Sequence, residues 1–220
     1  MLDLSLTRLI YVVPAIVIAL TFHEYAHARV SYAFGDPTAK NAGRLTLNPL
    51  KHLDPIGALL LIVAGFGWAK PVPINPAYYR GNRGHKLILV SAAGPLMNLL
   101  EALVGVAALS LIYHLALSHQ EWFTGDLRYN AYRYILNFLQ YFCSINIVLM
   151  VFNLIPIPPL DGSKLLTGLL PPDKMNLILA LERYGFIILA ALMFLGWLDP
   201  VIAAPARWIL NGLYSVFGLA

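Results

Sequence analysis

The sequence predicts an all-α polytopic membrane protein of four to six transmembrane helices, on three observations. Its 220 residues are 59% hydrophobic and only 12% charged. The mean hydropathy is +0.69. Four apolar stretches each reach the roughly 20 residues that a helix needs to cross the hydrocarbon core. Soluble domains carry about 25% charged residues to cover their surface; here a bilayer takes the place of that polar coat. One domain, residues 1–220, is the expectation at this length.

The first stretch, Leu9–Val30, begins with an apolar run like that of a signal peptide. No basic leader with a small-residue cleavage site accompanies it, and His23, Glu24 and His27 continue the same segment, so it is read as mature structure. Ile56–Gly67 has the length of a re-entrant segment. On either side of it, Gly43–Asn48 and Trp68–Asn75 have the character of short strands, which gives a membrane-associated β-hairpin as one reading. Pro71 and Pro73 would confine the second strand to an edge, where an extended peptide can add. The alternative is an irregular loop anchored at the interface by Trp68 and Tyr78. Leu87–Leu117, Tyr134–Ile155 and Leu177–Leu198 supply the other long spans. Val201–Leu219, interrupted by Pro205 and Arg207, either crosses or lies in the interface.

Loops rich in Lys and Arg stay cytoplasmic. Arg29, Lys40, Arg44, Lys51, Lys70, Arg80, Arg83 and Lys86 lie between the first two long spans, whereas the loop His119–Arg133 offers Arg128 and Arg133 against Glu121 and Asp126. In a cell membrane this puts the end of the first helix, the loop before Leu87 and the segment after Ile155 on the cytoplasmic side. The net charge of +4 suits anionic lipid head groups. No basic-aromatic module for nucleic acid is present. The lone Cys143 has no internal disulfide partner and reads as core packing.

The chemistry centres on His23-Glu24-Tyr25-Ala26-His27. Histidines four residues apart share one face of a helix and can bind one metal ion, while Glu24, one helical step round, addresses a water on that metal. Ionisable groups at the end of an apolar span are costly and mark function. A catalytic zinc takes three protein ligands and keeps one position open. Asp161 is the candidate third ligand: it follows the proline-broken run Asn153-Leu-Ile-Pro-Ile-Pro-Pro-Leu, on the same predicted side as His23 and His27. The competing reading makes Asp161 a cap for a helix starting near Gly162. Asn98 and Asn153 are candidate oxyanion donors, Asn153 alternatively a partner of Asp161, and both are open to the simpler reading of helix-to-helix hydrogen bonds. Glu101, Asn137, Gln140 and Asn146 take that simpler reading, and His52, His85, His114 and His119 read as interfacial or solvated.

These pieces together resemble the site-2 protease family of intramembrane zinc metalloproteases, in its short bacterial form. His23-Glu24-Tyr25-Ala26-His27, Gly94-Pro-Leu-Met-Asn98 and Asn153 to Gly162 occur in the family's order, and the Trp68-Ala-Lys-Pro-Val-Pro region extends the likeness. The resemblance implies Zn2+ held by His23, His27 and Asp161, Glu24 as catalytic carboxylate, supporting roles for Asn98 and Asn153, and a three-helix catalytic core. Its substrates would be transmembrane proteins cut within or near the lipid bilayer. No stretch is long enough for an inserted PDZ domain, and no C-terminal CBS domain follows. A zinc-binding membrane transporter and an inactive client-binding protein are the competing functions. Oligomeric state is left open.

Overall fold

The computed structural model describes residues 6–57, 60, 67–123, 125–169 and 175–219. Its main elements are α1 (Leu6–Ala33), α2 (Arg83–Ser118), α3 (Asp126–Asn153), α4 (Asp161–Leu169), α5 (Met175–Phe194) and α6 (Leu198–Val216). Helix α2 is the hub, packed against α1, α3 and α4, while α6 closes on α3.

Helices in lipid gain little by hiding apolar surface from a solvent that is itself apolar, so close packing of small residues holds them together. Ala15 and Ala19 of α1 and Ala102 of α2 are fully buried. At Gly105 a Cβ would lie 2.7 Å from the sulfur of Cys143 on α3, so only glycine lets the two helices approach this far. Pro14 lacks the N–H that would bond the carbonyl of Ile10 four residues back. The Tyr134 hydroxyl donates to that carbonyl instead, at 3.3 Å.

Among the described residues, three helices are long and apolar enough to cross a membrane: Arg8–Ala33, Arg83–Ser118 and Asp126–Asn153. The segments Leu181–Phe194 and Leu198–Val216 meet at 79°, as one broken span or a re-entrant loop, so the described residues hold three spans or up to four. The expected range of four to six is met only at its lower end, and only if that pair is one span. The break falls where Gly196 takes φ 71, a conformation glycine adopts without strain. The proline and arginine expected to interrupt the last stretch, Pro205 and Arg207, lie inside an unbroken α6.

The β-hairpin is not found among the described residues, which hold one isolated antiparallel bridge, Leu53 to Ala69, and no strand. Most of Ile56–Gly67 lies outside the described residues. The Trp68–Asn75 segment forms no strand beyond that bridge, and its amides are turned toward α1 and its neighbours: Lys70 N–H donates to His52 O and Asn75 N–H to Asp36 Oδ2, each at 2.8 Å. Pro71 and Pro73 have no amide proton to offer a partner strand. His52, expected at the interface, is fully buried and donates from Nε2 to Thr46 O at 2.7 Å. That bond satisfies one ring nitrogen, while Nδ1 is buried without a partner among the described residues.

Candidate metal centre

His23 and His27 stand one turn apart on the buried face of α1. His23 donates from Nδ1 to Asn98 Oδ1 and His27 donates from Nδ1 to Val90 O, each at 2.7 Å. A backbone carbonyl can only accept, so the proton of neutral His27 sits on Nδ1 and Nε2 presents a lone pair. Asn98 fixes His23 the same way, since its Nδ2 is directed to Asn146 Oδ1 at 2.8 Å and Ala19 O at 3.3 Å, leaving Oδ1 for the ring.

The two Nε2 atoms lie 3.1 Å apart, and each faces Asp161 Oδ2, at 3.1 Å from His23 and 3.0 Å from His27. Three lone-pair atoms converging in a buried site repel one another unless a cation sits among them. Tetrahedral zinc with N and O ligands at about 2.0–2.1 Å sets them about 3.3 Å apart, so the donor set fits that ion in chemistry and spacing. These are the His, Cys, Asp or Glu side chains that could hold a metal ion among the described residues.

The surrounding chain explains the convergence. A Cβ at Gly94 would lie 2.4 Å from His27 Nε2 and 2.5 Å from His23 Cε1, so α2 must be bare there for the rings to turn toward Asp161. Pro95, next in sequence, interrupts the α2 ladder beside the Val90 carbonyl that orients His27. Asp161 arrives because α3 ends at Asn153 and the prolines that follow bar helix until α4. At Gly162 a Cβ would lie 2.4 Å from Leu154 O and 2.5 Å from Ile155 O, which leaves glycine to make this tight return. The capping alternative for Asp161 finds no hydrogen bond to an α4 amide among the described residues. Its Oδ1 instead lies 3.7 Å from Lys164 Nζ.

Glu24 is buried beside the ligand cluster, and its Oε2 accepts the main-chain N–H of Val72 at 2.8 Å. Its Oε1 has no hydrogen-bond partner among the described residues. Asn153 is half-buried and donates to Leu149 O of its own helix at 3.0 Å, with no bond to Asp161. Asn146, read from the sequence as a helix-to-helix hydrogen bond, makes that bond: it is fully buried and holds Asn98. Sequence reasoning missed the Val72 amide.

Just beyond α1, Asp36 accepts from Ser31 Oγ at 2.8 Å, Thr38 N at 2.9 Å and the Thr38 hydroxyl as well as from Asn75. Burial alone would raise its pKa, but the hydrogen bonds from Asn75, Thr38 and Ser31 together hold it below the usual carboxylate range.

A bundle of membrane-length apolar helices with a buried His-Glu-x-x-His facing an aspartate defines a membrane zinc metalloprotease. The chain belongs to peptidase family M50, the site-2 protease family, whose sequence profile matches residues 11–195. It is 42% identical over 182 residues to "Putative zinc metalloprotease YwhC" of Bacillus subtilis (strain 168), covering 83% of this chain and 79% of that protein. It is 29% identical over 213 residues to "Putative zinc metalloprotease Rip2" of Mycolicibacterium smegmatis, covering 94% and 73%. The protein of that name in Mycobacterium tuberculosis H37Rv is 27% identical over 214 residues, covering 96% and 74%. No solved structure matches the chain closely enough to count as a relative.

Proposed function

We propose that this protein is a single-domain intramembrane protease of the cell membrane, which cuts transmembrane proteins at a site facing the cytoplasmic side. The observation that carries this reading is the convergence of His23 Nε2, His27 Nε2 and Asp161 Oδ2 inside an apolar helix bundle. His23, His27 and Asp161 hold the zinc. The ion, when bound, supplies Lewis acidity toward a water and toward the scissile carbonyl.

The chain's own groups do the rest. Glu24 accepts the proton of the attacking water at Oε1 and returns it to the leaving nitrogen. Asn98 acts through His23: both its amide protons already have acceptors, so it orients the ring and is not free to serve an oxyanion. Asn153 acts through its own helix end, next to the turn that delivers Asp161. Substrate must present an unwound stretch, because a helical carbonyl is engaged by the amide four residues on.

The test uses purified, zinc-loaded protein in detergent and a single-span substrate. Glu24→Gln should keep zinc and cut about 10²–10⁴-fold more slowly, whereas Asp161→Ala should lose zinc. Near-normal cleavage by Glu24→Gln, or full zinc in Asp161→Ala, overturns the corresponding role. Ion transport without cleavage by the wild type would return the transporter reading.

A further inference from the structure

We propose that the main-chain amide of Val72 is a positioning group for the reaction, holding Glu24 by one carboxylate oxygen so that the other is aimed at the water. This rests on Glu24 being the base, as proposed above. The Val72 N–H donates to Glu24 Oε2 at 2.8 Å, across 48 residues of sequence.

Three features make that amide a fixed part of the site. First, Val72 lies between Pro71 and Pro73, neither of which has an N–H, and both of which restrict their own φ. The donor is therefore the one amide from residue 71 to residue 73, carried on a stiff backbone. Second, the segment is tied down on both sides of it. Lys70 donates its N–H to His52 O and accepts from the Arg44 guanidinium at its carbonyl, and Asn75 donates to buried Asp36. Third, the Val72 side chain packs in a buried cluster with Ala28 and Ala39. Ala28 is one helical turn beyond Glu24, on the same face of α1. The side chain of Val72 grips α1 at Ala28 while its amide reaches Glu24.

A glutamate has a long, freely rotating side chain, and catalysis gains when its orientation is set before substrate arrives. Holding Oε2 does this without neutralising the group. The segment thus serves the base, and its amide at this position is not available to pair with substrate.

The proposal is tested with the full chain in detergent, measuring kcat, KM and zinc per chain on one single-span substrate. Val72→Pro removes the N–H. A second variant replaces Val72 by its α-hydroxy acid through nonsense suppression, which converts the amide to an ester and keeps the side chain. Leu45→Ala disturbs the same apolar cluster and leaves the amide alone. Both amide-removing variants should lower kcat by about ten- to a hundredfold, the worth of one hydrogen bond to a charged group, with KM within about twofold and zinc unchanged. Leu45→Ala should keep kcat. An ester variant with normal kcat overturns the proposal, and so does one whose KM rises while kcat holds, because that segment would then be gripping substrate. Zinc loss in the ester variant also overturns it. If Val72→Pro fails to fold, the ester variant decides. A wild type that does not cut fails the proposed function itself, a different result from any of these.

Discussion

The two halves of α1 are held in opposite ways. The N-terminal half packs Val12, Ala15, Ile16 and Ala19 into the bundle and sets Tyr11 against Tyr134, tilted, and Tyr141, stacked, with ring centroids 5.1 Å and 5.9 Å apart. The C-terminal half carries His23, Glu24, His27 and Ser31, each buried and each bonded to a residue outside α1. Apolar packing in lipid is forgiving, since neighbours of similar shape substitute for one another. A buried polar network is not, since each member left unpaired incurs the full desolvation penalty. The half that carries the candidate site is the half where position is specified atom by atom.

Gly94→Ala should break this contrast at its sharpest point. The added methyl would meet both histidine rings, so zinc per chain should fall to background and cleavage with it, although α2 itself gains in helix propensity. Full zinc in Gly94→Ala would mean that the rings need no such clearance.

Acid should act next. The folded pKa of Asp36 lies below its unfolded value, so the stability it lends is present above about pH 4 and is lost as pH falls through the lower folded value. Amide exchange at Asn75, which donates to Asp36, should accelerate over that window relative to amides in the N-terminal half of α1. Equal protection loss in both places would erase the distinction between them.

Tyr134→Phe is the smallest change. It removes the hydroxyl that donates to Ile10 O yet keeps the ring against Tyr11. The site is half a helix away, so zinc and cleavage should stay at wild-type level and thermal stability in detergent should fall by about 1 kcal/mol or less. A loss of cleavage there would show that the apolar half transmits position after all.

The polar half was largely legible in the sequence because its chemistry has a fixed spacing: His23 and His27 must be four apart on a helix, and Asp161 needs the proline turn that precedes it. Three long spans were legible because lipid demands length. The break between α5 and α6 was not, because Gly196 is one glycine among sixteen and its φ depends on how the two helices pack. The path of Trp68–Asn75 was hidden for a related reason. Alternation of apolar residues shows that a segment is extended, but not whether its amides meet another strand or a carboxylate.

The hydrogen bonds that orient the two histidines also bear on the charge of the site. With both rings neutral, the buried carboxylates of Asp161 and Glu24 would face a bound divalent ion together, and their formal charges would offset its own. An uncompensated charge in a bilayer is expensive, so in the proposed mechanism Glu24 would have a second duty besides moving a proton: balancing the half of the zinc charge that Asp161 leaves over. The two carboxylates would then be coupled through electroneutrality, although they hold different partners and lie far apart in the sequence.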